Sequence, residues 1–255
     1  MEVTTGNDFV AAALTSWMVD NSDFKPTNDM SLAKLKTQWE IATACFSEVS
    51  TDIVESWWNQ IQELHCRIER AYHTLVHLEE LFGYLDILKI DSEHPDFYAL
   101  SLSIFFHDAI YDTMSGTNEE DSAKLFREFF SDVGDCHHEN LEMKVVDYIL
   151  ATKHHNANQT TDITLAIFLD VDMAVLGKNP SAYAAYAGLI RKEYIHIDPH
   201  IYCEKRAEVL QTFLESPCIF SNPLLKAALE ERARKNLRDE IEMLKQGIIP
   251  WKSIK

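Results

Sequence analysis

Two short stretches hold the residue types that acid–base or metal chemistry would need. RAYHTLVH, at 70–77, sets His73 and His77 four residues apart. That spacing predicts one helix face aimed at one cavity, with Arg70 a turn earlier on nearly the same side. FFHDAIYD, at 105–112, ends a strongly apolar run in the pair His107–Asp108. A carboxylate there is opposed both by burial and by the negative end of the helix dipole, and a cation would offset both penalties. Imidazole nitrogen with carboxylate oxygen suits zinc, manganese, iron or cobalt without choosing among them. A third cluster, IFLDVDMAVLG, sets Asp170 and Asp172 two apart among apolar residues. At least one of them needs a cation or an arginine. Taken singly, each pair is also explained by satisfied core histidines or capped, solvated aspartates.

The composition bounds what such a site could serve. The 255 residues are 46% hydrophobic, enough for a self-sufficient core, and 23 basic against 41 acidic residues leave a formal charge of -18. That charge repels polymeric nucleic acid and anionic membrane surfaces; a small anionic substrate stays compatible where a bound cation reverses the field locally. The opening MEVTTGNDFV lacks the basic and apolar regions of a secretion signal. The longest apolar run, PDFYALSLSIFFHD, is too short to span a bilayer. Five scattered cysteines, Cys45, Cys66, Cys136, Cys203 and Cys218, form no CxxC pair, so reduced structural thiols in a cytoplasmic protein are expected. Self-association stays open.

The elements that must carry these residues read as helices throughout. Apolar positions return at three- and four-residue steps over 8–18, 32–46, 52–68, 72–88, 118–129, 141–153, 179–194, 199–215 and 223–245. Pro95 is expected in the first turn of the helix that reaches Phe106, and Asn118 at the capped start of the next. DITLAIFLD has the composition of a strand but no partner strand, and is read as a short buried helix. The expectation is an all-α protein of at least eight helices, a compact bundle forming one domain over 1–255, with its motifs in 70–213. The stretch between Pro217 and Pro223 reads as a break before a C-terminal helix that packs back on the body.

The ordered set YHTLVH, FFHDAIYD and LDVD resembles the HD superfamily of metal-dependent phosphohydrolases. With NEEDSA, TKHH and LDVDMAVLG it is similar to the subgroup described only as predicted HD-type phosphohydrolases, over residues 70 to 213. The resemblance implies an HD-domain-like helical fold and one divalent ion, drawn from Zn, Mn, Fe, Co, Ni or Mg. Its ligands would be His77, His107, Asp108 and a distal aspartate, with Asp172 favoured and Asp170 the alternative. His73 matches the Tyr-His dipeptide whose histidine acts as an acid in related phosphodiesterases. Those enzymes build a two-metal centre with a histidine where this chain has Tyr111, so a single metal is expected.

Glu119 matches the acidic residue that orients water in simple HD nucleotidases, although the first turn of a helix favours a carboxylate for its own sake. His155 is a candidate substrate contact beside a plain helix-end reading. Arg70, Arg191 and Arg206 offer planar, multidentate donors for phosphate oxygens, or structural pairs with carboxylates. The expected activity is hydrolysis of a small phosphomonoester or nucleotide. The alternative is an HD-like protein that binds a metal and a metabolite, or a protein partner, without turnover.

Overall fold

The computed structural model describes residues 13–14, 28–46, 48–134, 139–155, 157 and 160–249. The amphipathic segment read over 8–18 lies almost wholly outside these residues, as does Cys136. The described residues form α1 (Asp29–Thr43), α2 (Thr51–His65), α3 (Leu75–Leu88), α4 (Phe97–Phe106), α5 (Asn118–Val133), α6 (Glu139–Ala151) and α7 (Ile163–Asp172). A 3-10 turn (Met173–Gly177), α8 (Pro180–Glu193), α9 (Pro199–Glu215) and α10 (Pro223–Lys245) follow. The protein is all-α, with no strand among the described residues.

Helix starts follow local chemistry. Asn28, Asp162, Asn179, Asp198 and Asn222 each accept from two backbone amides of the helix they precede. Pro180, Pro199 and Pro223 then occupy first-turn positions, where the missing amide hydrogen costs nothing. DITLAIFLD is indeed helical, as α7.

The fold is described as two compact units: one is Pro26–Asn156, and the other takes in Ala157–Lys255 with residues 13–14. The units meet in sequence within the polar run NANQTT between α6 and α7.

In the first unit, α4 is the central helix, with every residue buried except half-buried Tyr98. Phe105 and Phe106 meet Trp39 of α1 at ring distances of 5.2 and 6.1 Å, and Phe129 of α5 closes on Trp39 and on Trp57 of α2. The indole donors are satisfied, Trp39 by the Val54 carbonyl at 2.9 Å and Trp57 by Asp132 at 3.0 Å. This aromatic packing fixes the helix at whose end His107 and Asp108 stand.

In the second unit, α10 packs along α9 and the 3-10 turn. A Cβ at Gly177 would lie 2.6 Å from Leu229 Cβ, so only glycine permits that approach. Asn236 donates to the Leu176 and Lys178 carbonyls, pinning the turn that follows Asp172.

Three local starts differ from the sequence reading. Helix α3 begins at Leu75, because Thr74 adopts an extended backbone and caps Val76, so His73 precedes the helix that carries His77. Helix α4 begins at Phe97, leaving Pro95 before it. Asn118 opens α5 without capping it: its amide bonds both the Asp112 backbone amide and the Asp112 carbonyl, at 2.9 Å each, and closes the loop after the His-Asp pair.

Candidate metal centre

Within the first unit, His77, His107 and Asp108 converge. The Nε2 atoms of His77 and His107 lie 3.3 Å apart, and Asp108 Oδ2 is 3.1 Å from His107 Nε2 and 3.9 Å from His77 Nε2. Both histidines are buried and the Asp108 side chain is one-fifth exposed, so the group opens to solvent on the carboxylate side.

The tautomer of His107 follows from its other nitrogen. Nδ1 lies 3.0 Å from the Ile104 carbonyl, which can only accept, so Nδ1 carries the hydrogen and Nε2 a lone pair. That lone pair faces a carboxylate oxygen and a second imidazole nitrogen. A divalent cation among the three could take all of them as ligands, and the carbonyl bond at Nδ1 is the kind of support that orients a metal-binding histidine. The donor set therefore fits the ion that the sequence predicts.

His73 reaches the group from the chain before α3, with Nε2 3.9 Å from Asp108 Oδ2 and its ring 5.9 Å from that of His77. The shared-face argument from four-residue spacing does not apply, since His73 is not helical. Its position comes from two contacts instead. Arg70 donates to the His73 carbonyl at 2.9 Å and to the Asp108 and Ala109 carbonyls at 2.7 and 2.8 Å, tying the Tyr-His segment to the His-Asp turn. The Tyr111 ring lies 4.1 Å from the His73 ring, with the Arg70 guanidinium 5.6 Å from the same tyrosine. Buried Arg70, a candidate substrate contact in the sequence, thus directs these donors at backbone carbonyls of the site.

The remaining candidates are distributed as follows. Glu119 and Glu120 stand in the first turn of α5 and both face Lys153, at 3.9 and 2.5 Å, while Lys153 also donates to the Gly116 carbonyl. His155 is half-buried, with a left-handed backbone (φ 47°) just beyond α6.

In the second unit, Asp170 is fully buried and accepts from the Ser221 amide at 2.8 and 3.0 Å and the Asn222 amide at 2.5 Å. Burial pushes its carboxyl up to about 6 against the pull of those two amides. Asp172, half-buried, is the last residue of α7. Arg191 directs its guanidinium at the Tyr194 and Ile197 carbonyls and stacks over Tyr202 at 4.6 Å; Arg206 pairs with Glu240 at 3.0 Å.

His65, which the sequence reading passed over, is a fully buried neighbour in the first unit. Its Nδ1 bonds the Ile61 carbonyl at 3.0 Å, while Nε2 has no hydrogen-bond partner among the described residues. Burial, reinforced by the Arg70 charge, pushes its pKa down to about 3. Because the folded value lies below the unfolded one, the unfolded chain takes up the proton first. Stability is full above about pH 6.5 and falls progressively as the pH drops toward 3. Wild type should lose about 2 kcal/mol from this group between pH 7.5 and 5.0, and His65→Leu should lack that component; urea unfolding of both proteins at the two pH values checks it.

Neither the family models nor the curated proteins compared with this chain match it. No helix among the described residues is long and apolar enough to cross a membrane.

Proposed function

We propose that the protein hydrolyses a small phosphomonoester or nucleotide, using one divalent ion held by His77, His107 and Asp108. The observation that carries this reading is the lone pair of His107 Nε2, turned toward a carboxylate and a second imidazole at 3.1 and 3.3 Å. When bound, the ion would supply a Lewis acid for a phosphoryl oxygen and acidify a bound water.

The protein's own groups do the rest. Asp108, at the solvent-facing edge of the cluster, orients the attacking water. His73, tied in place by Arg70 and Tyr111, gives a proton to the departing alkoxide oxygen. Glu119 is a further water-orienting group, held by Lys153. His155 contacts the substrate, and Arg70 positions the site through its carbonyl bonds.

Of the two distal aspartates that the HD resemblance nominates, Asp170 is engaged by Ser221 and Asn222, so the ligand role goes to Asp172. Asp170→Ala should then lower the stability of metal-free protein by about 1–3 kcal/mol through two buried amides left without an acceptor. Asp172→Ala should weaken metal binding and leave that stability within about 0.5 kcal/mol. Urea unfolding and metal titration of both variants separate the two roles.

One observation favours a second reading, metal and metabolite binding without turnover. Arg191 and Arg206, nominated for phosphate, each have an internal partner already. A screen of the metal-loaded protein against nucleotides and sugar phosphates decides between the two. Release of phosphate from a member of the panel supports hydrolysis, and tight metal binding with no hydrolysis across it supports the second reading.

A further inference from the structure

His73 precedes α3, so no helix sets the direction of its ring, and what the ring packs against must do so. Tyr72 meets it nearly at right angles, with the centroids 4.9 Å apart, but Tyr72 is its chain neighbour and moves with it. The independent support is Tyr111, from the turn after the His-Asp pair, at 4.1 Å and an interplanar angle of 31°.

Tyr111 is in turn held from α5. The Ser122 hydroxyl accepts from the Ile110 amide at 3.0 Å and donates to the Ile110 carbonyl at 3.2 Å. Asn118 treats Asp112 in the same way, accepting from its amide and donating to its carbonyl at 2.9 Å each. The Ile110 carbonyl belongs to the peptide unit before Tyr111, and the Asp112 amide to the unit after it. Peptide units are planar, so bonding both of them fixes the two backbone dihedrals of Tyr111 from outside. Asn118 and Ser122 are four residues apart and share one face of α5. Ser122 is fully buried, where water does not compete for its two bonds. Arg70 takes the Asp108, Ala109 and His73 carbonyls, so the backbones of the two stacked residues stand in one frame.

We propose that Asn118 and Ser122 are positioning residues for proton transfer by His73, acting through Tyr111. The two α5 side chains fix the Tyr111 backbone, and its ring fixes the plane of the imidazole whose Nε2 stands beside Asp108. Proton transfer needs donor and acceptor within hydrogen-bond reach, and a misplacement of about 1 Å costs up to about 10²-fold in rate. The role in turnover rests on the hydrolysis reading; the stacking of the two rings does not.

Two measurements on the full chain test this. In metal-free protein labelled at histidine, NMR should show a His73 ring proton displaced upfield by the Tyr111 ring and assigned by its loss in His73→Gln. Asn118→Ala and Tyr111→Leu should each abolish the displacement, and Tyr111→Phe, which keeps the ring, should restore it. In metal-loaded protein, Asn118→Ala should lower kcat for an alkyl phosphate by about tenfold, with KM, metal affinity and turnover of an aryl phosphate unchanged. In a His73→Gln background Asn118→Ala should have no further effect, a coupling that a merely structural role would not produce. Tyr111→Leu gives the same kinetic reading should Asn118→Ala not fold. An unmoved His73 proton in folded Asn118→Ala, equal losses on the two esters, or an added loss in the His73→Gln background would overturn the proposal. Wild-type protein that hydrolyses neither ester would overturn the hydrolysis reading and the proton-transfer role with it. The NMR displacement would still report whether α5 holds the two rings together, so the two failures are told apart.

Discussion

Replacing His73 with glutamine should leave metal occupancy near the wild-type level and lower turnover of an alkyl or nucleoside phosphate by about 10²-fold or more. His73 lies at the edge of the cluster, 3.9 Å from Asp108, and its side chain is 16% exposed, so an incoming ester can reach it. Glutamine approximates its reach but cannot transfer a proton. The substrate must have a poor leaving group, because p-nitrophenolate departs without protonation and would conceal the defect. Steady-state kinetics on one alkyl phosphate and one aryl phosphate separate the cases: a loss confined to the alkyl ester is expected. Wild-type turnover of both esters would remove the acid role from His73 and leave the metal assignment standing.

His107→Ala should have a different signature, losing metal and activity together. The imidazole lies at the centre of the convergent group, 3.3 Å from His77 Nε2 and 3.1 Å from Asp108 Oδ2. Without it, the group loses the donor that joins His77 to Asp108, and affinity should fall by at least about 10²-fold, with turnover following occupancy. Competition against a fluorescent chelator gives the affinity. Circular dichroism should stay helix-dominated, because His107 is only the C-cap of α4 and the aromatic packing around Phe105 and Phe106 does not depend on its side chain.

Helix identity was legible because apolar periodicity and capping chemistry agreed along most of the chain. Pro199–Glu215 and Pro223–Lys245 match their sequence-read bounds, each opened by a proline after a capping residue. Starts with conflicting signals were read less well. Thr74, a capping residue inside an otherwise helical pattern, marks the true start of α3 and moves His73 off the helix. NANQTT, where the two compact units meet in sequence, has the composition of an ordinary interhelical loop.

Within the site, residue type and order pointed to His77, His107 and Asp108, whose side chains the structure brings together. Only the HD resemblance favoured Asp172 over Asp170, since both sit in the same apolar segment; what the sequence could not show is that Asp170 accepts from amides 51 and 52 residues away, at Ser221 and Asn222. Nor could it show that Arg70 grips three carbonyls, because a clamp and a substrate contact use the same guanidinium. His65 carried no signal at all: a lone histidine at the end of an amphipathic helix looks like a surface residue until its burial is seen.

The most direct test of the central claim is anomalous diffraction at the metal edge, from crystals of protein purified without chelator or metal-affinity tag and soaked in zinc or manganese. The account predicts one strong peak about 2.0–2.2 Å from the Nε2 atoms of His77 and His107 and from an oxygen of Asp108. No peak among these three residues at millimolar metal, or a peak held by other residues alone, would contradict it.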